Sequence, residues 1–237
     1  MKFPNPLIRG TLIKRYKRFL TDVELENGEV VVAHCANSGS MLSVKDPGSE
    51  VWLSPATNPD RKLKYTWELI KIGDTFVGLN TGLPNKLVEA AIASGQIKEL
   101  AGYDVIRREV KYGKNSRIDI LLESEGRPKC YVEVKSVTMR RSDGPNAGKA
   151  EFPDAVTSRG AKHLVELADM VAEGHRSVMV YLVQREDCKS FTISDDIDPD
   201  YGKGYKAALS NGVEALCYTC KVTTEGIEVD SPLPIEY

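Results

Sequence analysis

The strongest constraint on this chain is a change of pattern near Asn80-Thr81-Gly82. Before it, short strand-like runs alternate with turn dipeptides. Phe19–Glu26 alternates and meets Asn27-Gly28, a strong hairpin signal, and the β-branched run Glu29–His34 follows. Asn37-Ser38-Gly39-Ser40 and Asp46-Pro47-Gly48-Ser49 read as turns. Glu50–Ser54, Trp67–Ile72 and Thr75–Leu79 read as strands, the last two joined through Gly73-Asp74. Closely spaced short strands over residues 1–82 predict a small barrel of the oligonucleotide-binding (OB) type.

After the change, helices and strands mix, as in an α/β domain over residues 83–237. Pro84–Ile97 predicts a helix, with proline early and Gly95 near its end. Three strand runs follow: Asp104–Val110, Ser116–Glu123 and Lys129–Val137. Tyr112-Gly113-Lys114-Asn115 and Ser124–Pro128 turn between them. A polar loop, Arg140–Gly148, is expected to be mobile. Then come a helix at Thr157–Val171, with Leu164, Leu167, Ala168 and Val171 as its apolar stripe, and a buried central strand at Arg176–Gln184. A helix near Tyr205–Ser210 and a strand at Glu214–Thr223 complete the reading.

Composition narrows the class. The 237 residues fit one large domain or two modest ones, and 41% hydrophobic with 28% charged residues is ordinary for a chain that buries its own core. No apolar run approaches the roughly 20 residues that span a bilayer. Residues 1–19 show no apolar signal core, and five scattered cysteines (35, 130, 188, 217, 220) argue against a disulfide framework, so a reducing cytoplasm is expected. The net charge of −2 does not suggest a nucleic-acid binder, but its distribution matters more. Lys14, Arg15, Lys17 and Arg18 form one basic cluster, and Arg61, Lys62 and Lys64 another.

Chemistry concentrates in the predicted hairpin. In Arg117-Ile-Asp119-Ile-Leu-Leu-Glu123, strand alternation sends Ile118, Ile120 and Leu122 into the core and Asp119 to the other face. In Cys130-Tyr-Val-Glu133-Val-Lys135-Ser-Val137, Glu133 and Lys135 share one face about 7 Å apart along the strand. The hairpin can set Asp119 beside Glu133. Two adjacent carboxylates repel and need a proton or a cation between them, and an oxygen-donor pair suits Mg²⁺ or Mn²⁺. A lysine there can orient a water and stabilise phosphoryl charge. Downstream, Arg159 and His163 share a helix face, with Lys162 adjacent, as a phosphate clamp. Paired strand charges of this kind also occur on ordinary exposed surfaces.

Asp119, 13 residues, then Glu133-Val134-Lys135, in helix–strand–strand–strand–helix–strand order, resembles the PD-(D/E)XK nuclease superfamily. The whole chain resembles the sugar fermentation stimulation protein A family. The matching stretches are Arg9–Phe19, Asn37-Ser38-Gly39-Ser40-Met41, Thr66-Trp67-Glu68-Leu69, Arg117–Asp119, Tyr131–Thr138 and Phe152–Leu164. The resemblance implies an N-terminal OB-like domain, a nuclease-like αβββαβ domain with a mixed sheet, DNA binding and a link to sugar-utilisation genes. It implies that Asp119 and Glu133 bind the metal with help from the Val134 carbonyl, and that Lys135 positions or activates the water. Glu89 becomes either an extra metal ligand or an exposed helical glutamate. One departure is that Ile118, not proline, precedes Asp119.

In the barrel segment, Arg15, Lys17 and Arg18, interleaved with Tyr16 and Phe19, can combine phosphate contact with base stacking, and Arg61 and Lys62 extend the path. Cys217-Tyr-Thr-Cys220 has metal-like spacing but no second ligand pair, so ordinary strand cysteines are expected. Asp195, Asp196, Asp198 and Asp200 read as a solvated loop or a helix cap. Three readings stay open: a Mg²⁺-dependent DNA nuclease, a non-catalytic DNA-binding regulator on a nuclease scaffold, and a protein whose carboxylates hold a structural ion. Nucleases of this class are often dimers, but no interface signature is readable.

Overall fold

The structure, a computed structural model, describes residues 1–113 and 116–237. Half of the predicted turn Tyr112-Gly113-Lys114-Asn115 therefore lies outside the described residues. The first unit is built from β1 (Ile8–Tyr16), β2 (Leu20–Leu25), β3 (Val30–Cys35), β4 (Glu50–Pro55), β5 (Tyr65–Ile72) and β6 (Thr75–Gly78). Its ladder runs β3-β2-β1-β4-β5-β6, and a parallel β3–β5 pairing at Ala33↔Tyr65 to Cys35↔Trp67 closes five strands into a barrel. This is the expected OB barrel. Alternation fills it: Leu12, Val23, Val31, Ala33, Val51, Leu53, Trp67 and Ile70 point inward and are buried. Gly28 (φ 82) and Gly73 (φ 58) take the left-handed conformation that their hairpin turns require.

The second unit contains α1 (Pro84–Ala93), β7 (Val105–Tyr112), β8 (Ser116–Glu123), β9 (Cys130–Val137), β10 (Ala150–Phe152), α2 (Ser158–Ala172), β11 (Arg176–Val183), β12 (Phe191–Ile193), α3 (Pro199–Ser210), β13 (Glu214–Val222) and β14 (Ile227–Pro232). The mixed sheet has the order β14-β13-β11-β9-β8-β7. Its centre, β9, β11 and β13, is parallel, and both flanks are antiparallel. Helix α1 covers one face through Leu87, Val88, Ala91 and Ile92. Helices α2 and α3 cover the other through Leu164, Leu167, Met170, Tyr201, Tyr205 and Ala208. Burial on both faces explains the unbroken apolar run of β11.

Several boundaries differ from expectation, each for a local reason. Helix α1 stops at Ala93 because Gly95 (φ 76) turns the chain. Helix α3 begins at Pro199, not Tyr205, because the buried Asp198 caps it and accepts the Tyr201 N–H at 3.0 Å. The loop after β9 is tied down: Arg141 donates to Glu151, buried on β10, and to Asp196, and Asn146 also donates to Glu151 at 3.0 Å. Strands β10, β12 and β14 carried no usable signal. All five cysteines are free and buried, and Cys217 and Cys220 sit in cores on opposite faces of the sheet, which fits ordinary strand residues.

The two units share a core, since Leu7 and Leu69 belong to the buried cluster that contains the apolar residues of α1. Polar ties reinforce it. The Gly78 N–H donates to the Gln184 carbonyl at 2.9 Å, Ser40 Oγ donates to the Asp154 carbonyl at 2.6 Å, and the Met41 N–H donates to the Asp154 carboxylate at 2.8 Å. The first residues are bound to the end of the sheet through a Lys2↔Gly226 bridge and a Phe3 N–H to Glu225 carbonyl hydrogen bond.

Candidate metal centre at a strand fork

Strands β8 and β9 pair only from Leu122↔Cys130 to Ile120↔Val132. Beyond that point β9 continues along β11 and β8 continues along β7, so the ladder forks. Two features accompany the fork. Glu109, opposite Asp119 on β7, takes a left-handed φ of 55. Ile118, expected beside Ile120 and Leu122, is buried in the core on the α2 side, whereas they face α1. Simple alternation fails there because β8 has left its neighbour.

Asp119 fills the fork. Its Oδ2 accepts the Val134 N–H at 2.8 Å, satisfying a backbone donor that the missing pairing would otherwise strand, and its Oδ1 accepts from Asn85 Nδ2 at 2.8 Å. Asn85 was not flagged in the sequence; a residue just inside a Pro-initiated helix looks like helix-start chemistry, and only the fold brings it to β8. Burial, and then the charge of Glu133, push the Asp119 carboxyl up to about 6.

Glu133 is 2% exposed. Its Oε1 accepts from Lys135 Nζ at 2.8 Å and meets His163 Nδ1. Its Oε2 is buried with no hydrogen-bond partner among the described residues. Burial opposes ionisation of Glu133, but the His163 hydrogen bond and the Lys135 charge outweigh it and hold the carboxyl below its ordinary range. His163 is 4% exposed and turned inward, with Nε2 accepting from Arg159 Nε at 3.4 Å, so it does not offer a free surface to phosphate. Lys135, Glu133, His163 and Arg159 thus form one hydrogen-bonded chain, and Asp119 feels its charge through Glu133.

The other expected residues are placed as follows. Glu89 pairs with Arg108 at 3.2 Å. Lys162 is exposed, 3.3 Å from Ser116 Oγ and 3.5 Å from Glu166. Arg15, expected to meet phosphate, donates its Nη2 to the carbonyls of Arg18, Asn37 and Gly39 at 2.9 Å and braces the barrel loops. Lys17 and Arg18 are exposed at the β1–β2 turn, both left-handed (φ 48 and 64), beside Phe19, which stacks on His34. Arg61 donates to Thr66 Oγ1 at 2.9 Å, and Lys62 is exposed.

The fork fits a hard cation. It holds two carboxylates whose mutual charge is unfavourable, and one buried oxygen lacks a donor. Among the described residues, no group of three or more His, Cys, Asp and Glu side chains converges, so backbone oxygen or water would complete such a site. No helix among those residues is long and apolar enough to cross a membrane.

Known proteins are similar to this chain in both domains. The family domain described as the sugar fermentation stimulation protein RE domain matches residues 82–226, and the SfsA N-terminal OB domain matches residues 13–79. A sugar fermentation stimulation protein homolog of Paramagnetospirillum magneticum is 59% identical over 100% of this chain and 98% of its own length. Its counterpart in Rhodospirillum rubrum is 59% identical over 99% of each. The solved structure of Pyrococcus furiosus SfsA in complex with Ca²⁺ superposes with a TM-score of 0.88 at 25% identity, covering 100% of this chain and 98% of that one.

Proposed function

Because the chain belongs to the sugar fermentation stimulation protein family, we propose that it is a DNA-binding protein whose mixed-sheet domain carries a Mg²⁺- or Mn²⁺-dependent phosphodiesterase site. One observation carries the reading: the buried Oε2 of Glu133, without a hydrogen-bond partner among the described residues, stands in a strand fork with the second carboxylate of Asp119. The Ca²⁺ of the Pyrococcus furiosus relative supports a hard divalent cation as the ligand class. A role in regulating sugar utilisation rests on the family name, and the narrower assignment to maltose-type sugars rests on the family resemblance alone.

Asp119 and Glu133 would hold the ion, with the Val134 carbonyl as a third oxygen donor. When bound, the ion supplies Lewis acidity to a phosphoryl oxygen and acidifies its water. Lys135 has three N–H donors and gives one to Glu133, so the others can orient the attacking water and stabilise developing phosphoryl charge. Arg159 and Lys162, exposed on α2, would steady the phosphate. On the barrel, Lys17, Arg18 and Lys62 would contact the backbone and Phe19 would stack on a base, with little sequence preference.

Cleavage of labelled single- and double-stranded DNA with Mg²⁺ or Mn²⁺ tests the reading. Lys135→Ala should lose about 10²-fold or more of the rate. Equal cleavage by parent and variant would remove Lys135 and the fork from the reaction. A second reading, a DNA-binding regulator that does not cut, is favoured by the absence of a third convergent acid among the described residues. Salt-dependent binding by parent and variant, with no cleavage by either, would select it.

A further inference from the structure

The two oxygens of Glu133 are in different situations, and α2 is the cause. Thr157 caps the helix by accepting the Gly160 N–H at 3.1 Å. Leu164 and Leu167 then lock its apolar stripe onto the sheet. That rotation drives His163 inward against β9 and leaves Arg159, one turn earlier on the same face, at the surface. His163 Nδ1 meets Glu133 Oε1, the oxygen that also receives Lys135. Nothing among the described residues reaches Oε2.

Arg159 settles the tautomer. A guanidinium has only donors, so His163 Nε2, which meets Arg159 Nε at 3.4 Å, must accept. The neutral ring then carries its hydrogen on Nδ1 and donates it to Glu133. We propose that His163 is a positioning residue for Glu133: it holds Oε1 and turns the carboxylate so that Oε2 alone is offered to a divalent cation. The inference rests on the reading of the fork as a cation site and adds how one ligand is aimed. It follows the general pattern in which the partners behind a ligand set its orientation and basicity. It also gives Arg159 a second task, since its Nε–H selects the donating form of His163 while the rest of its fork faces solvent.

Calorimetric titration of Mn²⁺ into the full-length protein tests this without any turnover. Asparagine places its amide N–H near the position of Nδ1, and glutamine places it near that of Nε2. His163→Asn should therefore bind Mn²⁺ within about threefold of the parent, while His163→Ala and His163→Gln lose about 10- to 100-fold. Melting in EDTA shows whether each variant folds, and a fold-only role would lower the melting temperature of all three without separating their Mn²⁺ affinities. Should His163→Ala fail to fold, the Asn and Gln pair still decides. Parental affinity in both Ala and Gln variants, or equal losses in Asn and Gln, would overturn the proposal while leaving the cation site standing. A parent that binds no Mn²⁺ would instead overturn the cation-site reading, and the proposal with it.

Discussion

At the scale of single residues, the fork holds charges that the fold would not tolerate on packing grounds alone. Asp119 keeps its proton up to about 6 in the folded protein, whereas an unfolded chain releases it near 3.8. Folding thus takes up a proton between those values, and the stability this group contributes is full below about 3.8 and is lost as pH rises through about 6. In EDTA, Asp119→Asn should be more stable than the parent above pH 6, by on the order of 3 kcal/mol, and should gain nothing near pH 4. Urea melts at the two pH values measure this, and identical pH dependence in both proteins would refute it. Asp119, Glu133 and Lys135 were legible in the sequence because charges interrupt otherwise apolar strands. Asn85 and the inward turn of His163 were not, because both depend on how a helix is rotated against a distant strand.

At the scale of elements, the hairpins were legible wherever a glycine had to take a positive φ, as at Gly28 and Gly73. Strands of three residues, such as β10 and β12, offer too few positions for any period to show. The expected mobility of Arg140–Gly148 overlooked Glu151, whose buried carboxylate is visible as an anchor only once β10 is in place. The β1–β2 turn is informative in another way. Lys17 and Arg18 adopt left-handed backbone that glycine adopts without strain, so the turn itself does not require their side chains. The double variant Lys17→Gly/Arg18→Gly should melt no lower than the parent. It should bind DNA more weakly, with the slope of log K against log salt reduced by up to about 2. Unchanged affinity and slope would remove this turn from the DNA interface.

At the scale of the whole molecule, the barrel followed from the strand pattern before residue 80 and the mixed sheet from the family resemblance, but their mutual packing did not, because the burial of Leu69 in the cluster that holds the α1 residues carries no sequence period. Asp154 is a main polar tie, accepting the Met41 N–H. Asp154→Ala leaves that N–H without its charged partner and should destabilise by about 1.5–3 kcal/mol. Hydrogen exchange should show the loss in residues 36–43 of the barrel first, and uniform deprotection of the barrel would contradict a local tie.

The bridge from Lys2 and Phe3 to Gly226 and Glu225 ties the segment leading into the barrel to the turn between β13 and β14. The barrel closes on itself through β3 and β5 and can fold as soon as it emerges. Its leading segment must wait for β13 and β14. During synthesis Lys2 and Phe3 therefore stay without these partners until the β13–β14 turn has been made.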